Sequence, residues 1–366
     1  MSETGPILPR QPGPDDASRY AALANAFARA ERAVVLTHDN PDPDAIASAA
    51  GLGFLIEQAA GIPAVVTFGG IIGRAENRVL IETVGVPFER MEGFEFRPGD
   101  AFALVDAQPG AGNNSVPEDA RLAVVIDHHP PLEVPRRAAY HDVRESYGAC
   151  ATMIVELLRA GGLEPNRALA TALFYGIQSE TLDLGREATD PDVEASIHLY
   201  PRVDFDALSR VRHARAPRAL FRSLHEALER AWHRGGVVFV PAGALAYPDL
   251  VAQLADFFLR VQGVEWVMAI GRYGNDLLVS VRADRPGAHA GEWVRQIVER
   301  RGPAGGHGQM AGARVHVAGR SDAEVEELIE DLFARLGALA GVADRPRRPL
   351  LERRAADATG SGEAEA

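Results

Sequence analysis

Lysine is absent from this chain: all 38 basic residues among its 366 are arginine. Alongside abundant alanine, that fits the codon bias of a GC-rich genome better than a functional demand. Arginine still supplies a bidentate grip on phosphate. Cysteine is nearly absent too. Cys150 stands alone, which excludes an internal disulfide and any cysteine-rich zinc site, fits a reducing cytoplasm, and reads as a small buried apolar residue. No apolar run approaches the length of a membrane span, so no transmembrane helix is expected. No basic stretch leads into an apolar one at the N-terminus, so no secretory signal is expected. Positive charge is in deficit: the net charge of −13 argues against a broad basic footprint for long nucleic acid. Internal repeats and heptad arrays are also missing.

What is present alternates between strand and helix. Residues 1–16, with four prolines and two glycines, read as a disordered leader, and the charged, Gly/Ala-rich residues 343–366 as a disordered tail. Short apolar runs at 33–37, 62–68, 101–105 and 122–126 suit buried strands. Residues 43–60 between them have helical spacing. Such interleaving predicts an α/β fold: an N-terminal, mostly parallel sheet with helices on both faces. Residues 148–233 read as almost wholly helical. A smaller C-terminal α/β domain follows, with strands at 237–240, 264–270, 277–281 and 314–317 and helices at 293–300 and 322–339. The expected divisions are 17–205, a helical linker over 206–235, and 236–342.

Three strand ends carry the chemistry. The first expected strand runs into Thr37-His38-Asp39-Asn40-Pro41-Asp42-Pro43-Asp44. His38, Asp42 and Asp44 supply one imidazole and two carboxylates within seven residues, a mixture that suits Mn²⁺, or Mg²⁺ with less preference for nitrogen. Asp106 follows the run 102–105, and Asp127-His128-His129 follows 124–126. In an open α/β sheet, ligands gather outside the carboxyl ends of the strands. A buried core histidine explains one such residue, but not two adjacent ones after an aspartate. Carboxylates converging from three strands are what two mutually repelling cations need around them.

These residues resemble the motifs of the DHH family of phosphoesterases and its associated C-terminal domain. The resemblance spans roughly residues 17–340. His38 to Asp44 matches His-x-x-Pro-Asp-x-Asp, Asp106 the lone aspartate after a strand, and Asp127-His128-His129 the family triplet. The segment 107–114 resembles the loop after the second motif in some members. The fourth motif, Gly-Ile-x-x-Asp-Thr in the family, reads Gly176-Ile177-Gln178-Ser179-Glu180-Thr181 here. Glu180 stands where the family ligates with aspartate, and Asp183 is the alternative. Gly305-Gly306-His307-Gly308-Gln309-Met310-Ala311-Gly312 resembles the family's Gly-Gly-His loop. Arg282 falls where the family places a substrate-binding arginine.

The resemblance implies two divalent ions, Mn²⁺ foremost. His38, Asp42 and Asp106 would hold one. Asp44, Asp106, His128 and Glu180 would hold the other, with Asp106 bridging. His129 would contact the scissile phosphate or protonate the leaving group, and Asp127 would orient its neighbours. Arg282, Gly305, Gly306 and His307 would bind phosphate or nucleotide. The implied activity is that of a nanoRNase-type enzyme: hydrolysis of short oligoribonucleotides, or of 3′-phosphoadenosine 5′-phosphate, by a hydroxide held between the ions. The alternatives are a cyclic or linear dinucleotide phosphodiesterase and a non-catalytic nucleotide-binding protein. The expected partners are small nucleotides, with no long nucleic acid and no membrane. A cytoplasmic location and a homodimer complete the family-level expectation.

Overall fold

The computed structural model describes residues 11–132, 138–285 and 287–351; the side chain of His307 lies outside the described part. The chain divides into two compact units, Met1–Ala216 and Pro217–Ala366. That division falls inside the segment 206–235 expected as a linker.

The first unit opens with α1 (Pro14–Ala26), β1 (Arg32–Leu36), α2 (Pro43–Ala60), β2 (Ala64–Phe68), α3 (Ala75–Val84), β3 (Phe88–Arg90), β4 (Asp100–Val105), β5 (Leu122–Asp127) and β6 (Tyr140–Val143). It closes with α4 (Cys150–Ala160), α5 (Arg167–Glu180), α6 (Asp190–Leu199) and α7 (Phe205–Arg212). Residues 14–16, expected in a disordered leader, instead begin α1, where Pro14 at the helix start and the Asp16 carboxylate bonding back to Gly13 N fix the first turn. Residues 1–10 of that expected leader lie outside the described residues.

The sheet has the order β3-β2-β1-β4-β5-β6, and every pairing in it is parallel. β1, β4 and β5 read as unbroken apolar runs because both of their faces are buried. Ala33, Val35, Ala101, Ala103, Val105, Val124 and Ile126 pack with residues from all seven helices of this unit. Val34, Leu36, Phe102, Leu104 and Val125 face the other way, under Met91, Phe94, Ala107, Val116 and Ala120. The second face is therefore covered by the β3–β4 and β4–β5 connections in place of helices. Neither connection contains a helix to lay there.

The second unit contains α8 (Arg218–Arg230), β7 (Trp232–Arg234), β8 (Val237–Ala244), α9 (Leu250–Phe258), β9 (Trp266–Tyr273), β10 (Asp276–Ala283), α10 (Ala290–Val298), β11 (Ala304–His307), β12 (Met310–His316), α11 (Asp322–Leu339) and β13 (Arg348–Pro349). Its sheet is mixed, in the order β11-β12-β10-β9-β8-β7-β13, with only β8 and β9 parallel. Apolar residues of α10 and α11 pack onto one face, where Trp232 stacks on Phe239 at 4.1 Å. Residues 348–349, expected in a disordered tail, add a strand to the β7 edge, and Arg347 lies 4.0 Å above the Trp232 ring. Residues 352–366 of that tail lie outside the described residues. Among the described residues, no helix is long and apolar enough to cross a membrane.

Candidate metal centre

The strand order runs down to β1 from one side and resumes at β4 on the other. Winding thus reverses between β1 and β4, and the carboxyl ends at such a reversal form the natural crevice of an open α/β sheet. His38 and Asp42 follow β1, Asp106 follows β4, and Asp127 to His129 close β5. The crossovers therefore deliver three sequence-distant motifs to one edge.

Asp106 sits at the centre. It is 2% exposed and adopts φ 57°, a left-handed backbone that non-glycine residues enter at a cost and that clusters at functional sites. Its Oδ2 lies 3.7 Å from His38 Nε2, and its Oδ1 lies 3.5 Å from His128 Nε2. Oδ1 is buried without a hydrogen-bond partner among the described residues. An orphaned buried oxygen of this kind calls for an explanation, and an ion is one.

Two three-residue groups place a donor atom from each member within 4.8 Å of the others: His38, Asp42 and Asp106, and Asp106, His128 and His129. Asp106 is common to both. His38 Nδ1 is 3.0 Å from the Asp39 carbonyl, and His128 Nδ1 is 3.2 Å from that of Tyr147. A backbone carbonyl accepts only from a protonated nitrogen, so in the neutral form of each ring the proton sits on Nδ1 and Nε2, on the Asp106 side, is left to ligate. Metal-ligating histidines are oriented in this way. The 3.5–3.8 Å separations among Nε2 and carboxylate oxygens are too long for hydrogen bonds. They approach the distance of about 3 to 3.5 Å between two donors on one small cation. The donor set fits divalent metal.

Asp44 is nearly fully buried and spans two elements. Its oxygens accept from Cys150 N at 2.7 Å and Ala151 N at 2.9 Å, capping α4, whose own N-cap residue Ala149 offers no side-chain acceptor. Oδ2 remains 3.9 Å from His128 Nε2. Glu180 ends α5. Its charge reaches both Asp44 and His128, yet neither compact donor group includes it. Asp183, the alternative, is exposed and bound by Arg212 at 2.6 Å. Asp127 belongs to neither donor group but braces one of them. Its Oδ1 accepts from His128 N and from His129 Nδ1, at 2.9 and 2.8 Å.

Crowded carboxylates raise one another's proton affinity. Burial, then the charges of Asp44 and Asp42, hold Asp106 well above the usual carboxylate range. Burial also pushes Asp44 up to about 7, with Glu180 and Asp42 adding to it against His128. Burial pulls the His38 imidazolium down, but Asp42 and then Asp106 outweigh it and push the group up to about 10. Asp127 goes the other way: burial raises it, His129 and Gln108 more than compensate, and it falls to about 2.

In the second unit, Gly305, Gly306 and His307 do not form the expected loop. They make edge strand β11, paired with β12 as Gly305↔Gly312, Gly306↔Ala311 and His307↔Met310. The turn closes at Gly308-Gln309. Gly306, at φ 142°, is forced by packing, since an added Cβ would lie 2.3 Å from Met310 O. Gly305 has open space instead. Arg282 pairs with Met310 across the next strand, so it and the His307 backbone share one line across the sheet. Only 8% exposed, Arg282 is not a surface charge. Asp256 holds its Nε at 2.6 Å and Ser280 its Nη1 at 2.8 Å, while Nη2 has no acceptor among the described residues.

The motifs alone did not point to Gln108, the Tyr147 carbonyl or the Cys150 and Ala151 amides. Backbone groups carry no residue signature. For Gln108, the signal was an amide side chain two residues after Asp106.

A model of the DHH family, N-terminal domain, matches residues 32–177, and one of the DHHA1 domain matches residues 235–338. An uncharacterized protein of Methanocaldococcus jannaschii is 31% identical over 284 residues, which is 77% of this chain and 57% of that protein. A probable manganese-dependent inorganic pyrophosphatase of Streptococcus pyogenes serotype M5 is 25% identical over 167 residues, 45% of this chain and 52% of that one. The chain thus spans little more than half the length of either relative. The crystal structure of an exopolyphosphatase-related protein from Bacteroides fragilis aligns with a TM-score of 0.69 at 14% identity, covering 88% of this chain and 98% of that one, a likeness of fold. The three strand-end motifs and the two matched models together give this chain a DHH family N-terminal domain in its first unit and a DHHA1 domain in its second.

Proposed function

We propose that the protein is a metal-dependent phosphoesterase that hydrolyses short oligoribonucleotides or 3′-phosphoadenosine 5′-phosphate. The observation that carries this reading is Asp106, shared by two donor groups and left with an orphaned oxygen between them. His38, Asp42 and Asp106 would hold one ion; Asp44, Asp106 and His128, with Glu180 behind them, would hold the other. Divalent cations there, Mn²⁺ foremost or Mg²⁺, would neutralise phosphate charge and bring a water's pKa toward neutrality. The relative described as manganese-dependent supports that choice of metal. The His129 Nδ1–H donating to Asp127 Oδ1 leaves Nε2 to meet the phosphate or serve the leaving oxygen. Arg282 Nη2 and the amides around open Gly305 would hold a phosphate of the substrate, with His307 beside them. The acidic net charge favours small nucleotides over long strands, the lone buried cysteine suits a cytoplasmic enzyme, and a homodimer is the expected assembly.

A dinucleotide, a cyclic dinucleotide, 3′-phosphoadenosine 5′-phosphate and pyrophosphate, each assayed with Mn²⁺, test the reading. Turnover of the dinucleotide or of 3′-phosphoadenosine 5′-phosphate, lost in Asp106→Ala, is the expected result. Turnover of pyrophosphate alone would overturn it, and preference for the cyclic dinucleotide would shift the substrate class. The place of Glu180 outside both donor groups favours one second reading, a non-catalytic nucleotide-binding protein. Nucleotide binding without turnover of any substrate would establish that instead.

A further inference from the structure

Gln108 is 5% exposed at the carboxyl end of β4. Its Nε2 donates to Asp127 Oδ2 at 2.7 Å and to the Pro130 carbonyl at 3.1 Å, and its Oε1 accepts from Leu132 N at 2.9 Å. Two acceptors on one side and a backbone donor on the other fix which end of the amide is nitrogen. A flipped amide would set its oxygen against a carboxylate and a carbonyl. Asn114 Nδ2 binds the Gln108 carbonyl at 2.9 Å, anchoring the loop that carries it. Asp127 therefore has both oxygens committed: Oδ2 to Gln108, Oδ1 to His128 N and His129 Nδ1.

Building on the phosphoesterase reading, we infer that Gln108 is a positioning residue that locks the Asp127 carboxylate and, through it, the tautomer and ring orientation of His129. With Oδ2 held, Asp127 can turn neither oxygen away from His129. The imidazole proton stays on Nδ1, and the Nε2 lone pair is left free. An ionised glutamate cannot do this, because it would place acceptors against Asp127 and Pro130. A leucine of similar volume would leave a buried carboxylate oxygen unsatisfied.

The test uses the full-length protein with Gln108→Leu and the near-isosteric Gln108→Glu, each alone and combined with His129→Ala. Against the substrate that the wild type hydrolyses, kcat should fall about 10- to 100-fold in both single variants. KM and bound Mn²⁺ should stay at wild-type values. In the His129→Ala background neither change should cost more than about a further twofold. An undiminished kcat, or an equal loss with and without His129, would overturn the inference. A second readout needs no activity: ¹⁵N NMR of histidine-labelled protein should show His129 as the Nδ1–H tautomer in the wild type and as a mixture in both variants. An unchanged tautomer in the variants would overturn the inference even if no phosphoester is cleaved, so its failure is distinguishable from failure of the functional reading.

Discussion

Asp106 concentrates the conflict between stability and function. Its backbone is left-handed, its carboxylate is buried beside two others, and one of its oxygens is unsatisfied. Asparagine has the same shape, tolerates that backbone and carries no charge. Asp106→Asn should therefore make the metal-free protein more stable, by about 1–3 kcal/mol at pH 8, since it relieves the crowding of a buried carboxyl by Asp44 and Asp42. The same variant should bind no stoichiometric Mn²⁺. Thermal melts of the metal-free proteins, paired with metal analysis, check both halves. The neighbouring groups give a pH dependence. A carboxyl raised from 3.8 to about 7, as in Asp44, costs stability as pH climbs through that window. The His38 imidazole, raised from 6.5 to about 10, contributes stability below its unfolded value and loses it as pH rises through its folded one. Both signs make the metal-free protein weaker at higher pH. Cations compete with those same protons, so metal affinity runs the other way. Mn²⁺ should raise the melting temperature more at about pH 8.5 than at about pH 6. Calorimetric titrations in buffers of different ionisation enthalpy should show protons released on binding.

Among the elements, α2 carries a strict packing demand. An added Cβ at Gly51 would lie 2.6 Å from Ile154 Cγ2 on α4 and 3.2 Å from Leu173 Cδ2 on α5. Helix propensity alone would favour Gly51→Ala by about 1 kcal/mol. Overpacking a close-packed core typically costs about 1–3 kcal/mol, so the variant should be less stable in urea unfolding while keeping its Mn²⁺ content. Elements buried on both faces were the legible ones. β1, β4 and β5 declare themselves by continuous apolar runs, and the motif residues sit at their ends. β3, β6 and β7 have three or four residues each and include Glu89, His141 and His233. Such short, polar strands are held by sheet pairing and leave no periodic signal. β11 reads as a glycine loop because its partner, β12, lies beyond the turn. At the site, residue type announced the candidate donors. What orients them, the carbonyls of Asp39 and Tyr147 and the amide of Gln108, depends on chain paths that only the fold brings together.

At the scale of the molecule, the chain forms two compact units, and the donor atoms of the proposed centre all belong to Met1–Ala216. The second unit keeps its own order partly through its last described residues. β13 hydrogen-bonds the rim of β7, Leu350 N binds Ala231 O at 2.9 Å, and Arg347 roofs Trp232. An open sheet rim is a template for any other chain that can extend along it. A chain ending at Arg345 would uncover that rim and a large aromatic ring together. Its expected fate is self-association by strand addition, seen as a falling soluble yield and a concentration-dependent sedimentation coefficient. Its Mn²⁺ content should stay at the wild-type value. On that outcome β13 would act as a seal against other copies of the protein, a colloidal role separate from any chemistry at the proposed metal centre.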